Sequence, residues 1–165
     1  MVLMAHDDLL DFDFDEIPLA KTSDDYYTPK WVFDALGLEF DIDVASPVGG
    51  ISWIPAKRYF TQYDDGLAQD WGGAKVWMNP PYSKPSPWID KWLENANGVC
   101  LVAASRSKPF TQLWNECEAI AFMPSNLKFV SGMGKEAGIY MPTVIAAVGA
   151  KNVAAFKASG IGFVR

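Results

Sequence analysis

Hydrophobic and polar positions change period several times along the chain, and those changes divide it. Near the start, acids alternate with apolar residues through Leu10-Asp11-Phe12-Asp13-Phe14-Asp15. Together with Asp7, Asp8, Glu16, Asp24 and Asp25 they make residues 1–25 too charged to pack against themselves, so this stretch reads as an acidic N-terminal tail with Leu9, Leu10, Phe12 and Phe14 as docking residues. Residues 26–165 then form the folded domain. A helix is predicted after Thr28-Pro29: threonine suits an N-cap, proline the first helical position, and Val32, Phe33, Ala35 and Leu36 give an apolar side that Gly37 ends. Phe40 to Ala45 predicts a short strand. Ser46 to Pro55 is loop-like, and residues 58–71 predict irregular chain.

Ala74 to Met78 reads as a buried strand that ends directly at Asn79. Past a loop at Pro85 to Pro87, a helix is expected from about Trp88 to Asn97, closed by Gly98. Val99 to Ala104 is a continuous apolar run of the buried-strand type. A helix near Pro109–Cys117 and strands at Ala119–Met123, Leu127–Val130 and Thr143–Val148 complete the pattern. Strands and helices alternate at short intervals without an internal repeat. This predicts an open α/β sheet with ligands at the carboxyl ends of its strands.

Composition narrows the chemistry. With 165 residues, 50% of them hydrophobic, the chain can bury a core as one domain. It has no apolar run of about 18 residues and no basic-then-apolar leader, so a soluble cytoplasmic protein is expected, monomer or homodimer left open. Two cysteines and one histidine are too few for a zinc site or a Cys/His nucleophile pair; no metal is expected, and both thiols should be buried. The net charge of -6 argues against a nucleic-acid partner until it is divided by position. Residues 1–70 hold 15 acids against 4 bases, whereas residues 71–165 hold 5 acids against 10 bases. Any phosphate-binding face belongs to the second part. Its candidates are Arg106 and Lys108, after a buried strand, and Lys128 and Lys135, around Ser131-Gly132-Met133-Gly134. That last string lacks the spacing of a P-loop.

Asn79-Pro80-Pro81-Tyr82 stands just past a strand end. Two prolines give a stiff turn without competing N–H donors. The Asn79 side-chain oxygen and the Pro80 carbonyl can then accept both hydrogens of an exocyclic amine, with Tyr82 lying against the ring that bears it. Asparagine takes up no proton at neutral pH, so such a turn acts through oriented dipoles rather than as a general base. Thr28-Pro29 offers amides at a helix start. Asp43, followed by the small Ala45, can hold an amino group while backbone approaches it closely; Asp41 competes for that role, since alternation puts it on the same side. Asp65 and Asp70, before the strand that ends at Asn79, offer carboxylates whose roles spacing does not separate.

The run Thr28-Pro29, Phe33-Asp34-Ala35-Leu36, Phe40 to Pro47, Arg58-Tyr59-Phe60-Thr61, Asp65-Gly66-Leu67, Asp70-Trp71, Val76 to Ser83 and Trp88 resembles the phage-type Dam-like DNA N6-adenine methyltransferases, from about residue 27 to 148. The resemblance implies a Rossmann-like class I methyltransferase domain, a compact three-layer αβα sandwich with a mixed, mostly parallel sheet. It implies S-adenosylmethionine as methyl donor, duplex DNA as substrate and a phage or prophage origin. It assigns Thr28, Pro29, Asp43 and Ala45 to the cofactor, Asp65 or Asp70 to the cofactor's adenine, and Asn79 to Tyr82 to catalysis on a flipped adenine. Where the family commonly has Gly-Arg before its Leu-Lys-Phe segment, this chain has Ser125-Asn126, which removes a phosphate or cofactor contact. There is also no FxGxG-type glycine signature after the first strand. The same turn would serve methylation of RNA adenine or protein glutamine, and a noncatalytic acidic phage protein that binds a host partner is the alternative of another class.

Overall fold

The apolar runs that end at Met78 and Ala103 fold as neighbouring central strands, and the remaining elements are arranged around them. The computed structural model describes residues 26–132, 134–139 and 141–162, so the expected acidic tail lies outside the described residues. In chain order the elements are β1 (Tyr26–Tyr27), α1 (Lys30–Leu36), β2 (Phe40–Asp43), β3 (Ala56–Tyr59), β4 (Val76–Met78), α2 (Ser86–Asn95), β5 (Gly98–Ala103), α3 (Lys108–Glu116), β6 (Ala119–Phe122), β7 (Phe129–Ser131), β8 (Glu136–Ala137), β9 (Thr143–Val148) and α4 (Ala150–Ala158).

Six strands form one sheet in the order β3-β2-β4-β5-β9-β6. The β3–β2, β2–β4 and β4–β5 pairs are parallel, whereas β9 runs antiparallel to both β5 and β6. Successive side chains of a strand point to opposite faces, and the core divides accordingly. Trp77, Val99, Leu101 and Ile145 pack with Val32, Phe33 and Leu36 of α1 and Phe156 of α4. Val76, Met78, Cys100, Val102 and Val144 pack with Ile89 and Trp92 of α2 and Leu113 of α3. Two helices therefore cover each face. Trp77 anchors the first layer, its ring 4.7 Å from that of Phe33 and 5.8 Å from that of Phe40. Full burial of such a side chain contributes about 1.5–3 kcal/mol. Cys100 and Cys117 are buried in the second layer, as expected.

Several boundaries differ from the sequence-based expectation, each for a local reason. Residues 58–71 are not wholly irregular, because Ala56–Tyr59 forms an edge strand beside β2. α2 begins at Ser86 and takes Pro87 into its first turn, where no backbone donor is needed. It is closed by Ala96 in the left-handed conformation (φ 53°), not by Gly98. Gly98 instead opens β5, where a Cβ would lie 2.3 Å from the Val76 carbonyl oxygen. The strand expected at Leu127–Val130 is Phe129–Ser131, and it belongs to a separate three-stranded sheet, β1-β7-β8. Among the described residues no helix is long and apolar enough to cross a membrane.

Candidate active site

The parallel strands β2 and β4 end side by side, with Asp43 in register with Trp77 and Val44 N–H donating to the Trp77 carbonyl at 3.1 Å. Past that bond, β4 runs into Asn79-Pro80-Pro81-Tyr82, whose prolines cannot extend the ladder. The Asn79 Nδ2 donates to the Tyr26 carbonyl at 3.0 Å. A carbonyl only accepts, so the amide nitrogen must face Tyr26 and the oxygen is turned away from it. That Oδ1 is buried and has no hydrogen-bond partner among the described residues. A buried acceptor left unpaired costs about 1–3 kcal/mol, which makes an unsatisfied one informative. The Tyr82 hydroxyl is likewise buried without a partner, and burial pushes its phenol pKa up. Pro80 is buried, and the Pro81 carbonyl accepts from Lys84 N at 3.4 Å, which closes the turn.

Asp43 is 3% exposed, and among the described residues no basic side chain forms an ion pair with it. Burial pushes its carboxyl up to about 6, against the opposing pull of the Ala45 amide at 3.3 Å and, least of all, the Ser46 hydroxyl. No bond of ordinary length joins that hydroxyl to the carboxyl, as Ser46 Oγ has no partner within hydrogen-bond distance. Asp41, two residues earlier, has the opposite environment. Lys57 at 2.7 Å and the Lys75 amide at 3.0 Å hold its carboxyl below the usual range, and it stands at the surface. Asp41 and Ile42 both donate to the Lys75 carbonyl, and the alternation slips there: Phe40 packs toward α1 and Ile42 toward α2. Alternation therefore misjudges this pair, and Asp43 alone faces inward.

Asp43 lines a cavity of about 520 Å3 together with Tyr27, Ser46, Trp53, Tyr59 and Gly132, a volume within the range of small-molecule sites. Asn79 to Tyr82 are not among its walls. The two strand ends are joined through β1 instead: Tyr27 lines the cavity, and the carbonyl of Tyr26 holds Asn79. Thr28 is 1% exposed; its carbonyl accepts from Trp53 Nε1 at 2.9 Å, and its hydroxyl is buried without a partner. The expected cap is thereby corrected. Pro29 occupies the N-cap position of α1 with no side-chain cap bond, because the helix begins one residue later, at Lys30.

Ala45 spends its amide on Asp43 and stays outside the cavity wall. Asp65 and Asp70 are exposed and also outside it; Asp65 accepts from Ala68 N at 3.3 Å and Asp70 from Gly72 N at 2.8 Å. The loop between them is clamped from its own end and from α2, with Gly66 beside Val44 just past β2. The Trp71 Nε1 donates to the Gly66 carbonyl at 2.8 Å and Lys91 Nζ to the Leu67 carbonyl at 2.6 Å. Gly66 touches Val44, next to Asp43, so Asp65 lies nearer that strand end in sequence than Asp70 does. Arg106, Lys108, Lys128 and Lys135 are all exposed, and Lys128 pairs with Glu136 at 3.4 Å. The sequence reading missed Tyr27, Ser46, Trp53 and Tyr59 as cavity residues, and Tyr26 as the anchor of Asn79. Tyr59 fell in a stretch without alternation, and a backbone carbonyl 53 residues away leaves no side-chain signal.

Comparisons with known proteins bear on this geometry. Residues 18–142, more than half of the chain, match a protein family described as DNA N-6-adenine-methyltransferase (Dam). The chain is similar to the DNA N-6-adenine-methyltransferase of Haemophilus phage HP1 (strain HP1c1), with 35% identity over 66 residues. That similarity covers 38% of this chain and 36% of the phage protein, less than two thirds of its length. No solved structure matches the chain.

Proposed function

Because the chain belongs to the DNA N-6-adenine-methyltransferase (Dam) family, we propose that it transfers a methyl group from S-adenosylmethionine to the exocyclic amine of a flipped adenine in duplex DNA, inside a bacterial host. The sheet supports a Rossmann-like class I methyltransferase domain. Its one antiparallel strand, β9, sits between β5 and β6, and both polar sites lie at carboxyl ends of parallel strands, where such sheets bind ligands. One observation carries the reading: the buried, partnerless Oδ1 of Asn79, fixed in direction by Tyr26. An unpaired acceptor at this depth calls for a ligand that brings its own donor.

The donor side fits as well. Asp43 is a buried carboxyl with no cation beside it among the described residues, on the wall of a cavity of suitable size, so it calls for an ammonium group. S-adenosylmethionine supplies that ammonium and a methyl group activated by a positively charged sulfur. Asp43 would hold the amine, the Thr28 hydroxyl offers a further polar contact, and Asp65 is favoured over Asp70 for the cofactor's adenine by its place beside Gly66. In this reading Asn79 accepts one N6 hydrogen and Pro80 the other. These two acceptors would let the amine nitrogen pyramidalise, its lone pair freed from the ring by fixed dipoles rather than by a base. Tyr82 supplies a ring for the extruded base, and extrusion from the duplex costs a few kcal/mol. Because Oδ1 is covered in the structure, base entry has to uncover it.

Incubation with methyl-labelled cofactor and unmethylated duplex DNA, followed by nucleoside analysis, tests the proposal. Label in N6-methyl-2'-deoxyadenosine is expected. Label in cytosine, in RNA or in protein instead would move the substrate elsewhere.

A further inference from the structure

The acidic alternation near the chain start has no part in the site above, and neither does a second cavity. This cavity, of about 270 Å3, is a groove walled mainly by apolar residues, among them Met123, Leu127, Ile139, Met141 and Pro142, with Ser125 and Thr143 also in its lining. Met141 is 46% exposed, so this part of the groove's apolar wall is open to solvent. The groove lies where the described chain begins, since the Tyr26 ring meets its wall residue Phe129 edge-on with centroids 6.3 Å apart. Cations flank it. Lys128 is exposed between the groove residues Leu127 and Phe129, and its contact with the exposed Glu136 is of the weak, exchangeable kind. At the other end, the Pro142 carbonyl accepts from Ala104 N at 2.7 Å, two residues before exposed Arg106 and four before exposed Lys108.

Residues 10–15 complement each of these features. In an extended strand Leu10, Phe12 and Phe14 fall on one side and Asp11, Asp13 and Asp15 on the other. The intervening residues 16–25 span up to about 35 Å when extended, ample to reach a groove beside Tyr26. We propose that residues 10–15 dock in this groove as an intramolecular strand, with the apolar side against Ile139, Met141 and Pro142 and the aspartates toward Lys128, Arg106 and Lys108. These are three of the four candidate cations for DNA phosphates, so the segment and the duplex compete for one face. The competition rests on the function proposed above; the docking does not.

The test uses the full chain with isotope-labelled methionine methyl groups. Wild type is compared with a Phe12→Ser/Phe14→Ser chain, which keeps its charge, and with an Asp11→Asn/Asp13→Asn/Asp15→Asn chain, which keeps its apolar side. The Met123 and Met141 methyl resonances should shift in the phenylalanine pair. Duplex affinity should rise about threefold or more in both variants, with the salt dependence steeper by about 0.9 for each cation released. Unmoved methyl resonances overturn the docking. So does an affinity gain confined to the asparagine triple, which would mark long-range repulsion by an undocked tail. Shifts that vanish on dilution would assign the groove to the segment of a second copy and overturn the intramolecular form. Methyl shifts without duplex binding by any chain would uphold the docking and sink the DNA reading.

Discussion

Two neighbouring parallel strands end in opposite deficits. Among the described residues, β2 ends in a carboxyl that burial holds at about 6 and that lacks a cation, and β4 ends in an amide oxygen that lacks a donor. The first opens onto a cavity and the second is covered, yet both are tied to the same two-residue strand, through Tyr27 in one wall and the Tyr26 carbonyl on Asn79. The difference separates two tasks. A buried carboxyl is suited to capturing a positive group before reaction, whereas an oriented neutral acceptor matters most as charge develops on an amine. Asp43 should therefore govern affinity, and Asn79 the rate.

The largest expected effect follows for Asn79→Ala. Loss of one oriented dipole at a reacting centre lowers kcat by about 10^2 to 10^3. S-adenosylmethionine affinity, measured by calorimetry, should stay within about twofold, because Asn79 lies outside the cavity wall. Equal loss of affinity and rate would merge the two strand ends into one function.

Asp43→Asn is expected to do the reverse. Removing a charge-assisted bond of about 1.5–3 kcal/mol weakens cofactor binding by about 10- to 100-fold, with kcat at saturating cofactor largely kept. Its pH dependence sharpens the assignment. The Asp43 carboxyl is raised in the folded state, so its contribution to stability is full below the unfolded value near 3.8 and is lost as pH rises through about 6. The loss amounts to about 3 kcal/mol. Wild type should thus lose stability between pH 4 and 7 relative to Asp43→Asn, in thermal melts across that window. Affinity for a cationic ligand should run the other way, tightening about tenfold per unit up to pH 6 and levelling above it. A flat affinity profile in wild type would remove Asp43 from the cation site.

The sequence made the β4 side of this comparison more legible than the β2 side. A buried apolar run that stops at Asn-Pro-Pro can be read without coordinates, because proline ends a ladder by its own chemistry. At β2, two aspartates looked interchangeable, and the slip at Asp41, which sends one to Lys57 and the other inward, arises from shared backbone acceptance by Lys75. The central strands were visible for the same reason that β3 was not: Val76 to Met78 is apolar on both faces, while Ala56–Tyr59 is an exposed edge held by backbone bonds to β2. β1 has only two residues, and its pairing with β7 carries no periodicity at all. α4 was missed because few of its residues are buried, Asn152 and Phe156 among them, so its alanine-rich sequence shows no clear apolar face.

Gly66 offers the smallest and most local test, because its nearest neighbours are Val44, just past β2, and the Trp88 ring. A Cβ there would lie 2.2 Å from the Val44 carbonyl oxygen and 3.1 Å from the Trp88 ring. The closer contact is with backbone, which cannot swing aside as a flexible side chain does. Gly66→Ala should therefore lift the loop that Trp71 and Lys91 clamp, at a stability loss of about 1–3 kcal/mol. Since Val44 follows Asp43 directly, cofactor affinity should fall by less than in Asp43→Asn, with kcat of the saturated enzyme unchanged. Thermal melts and a cofactor titration read both effects. If stability falls and affinity holds, the loop serves the fold alone, and Asp65 and Asp70 lose their claim on the cofactor. If kcat falls instead, strain at β2 crosses to Asn79 through β1, and the two deficits are coupled rather than separate.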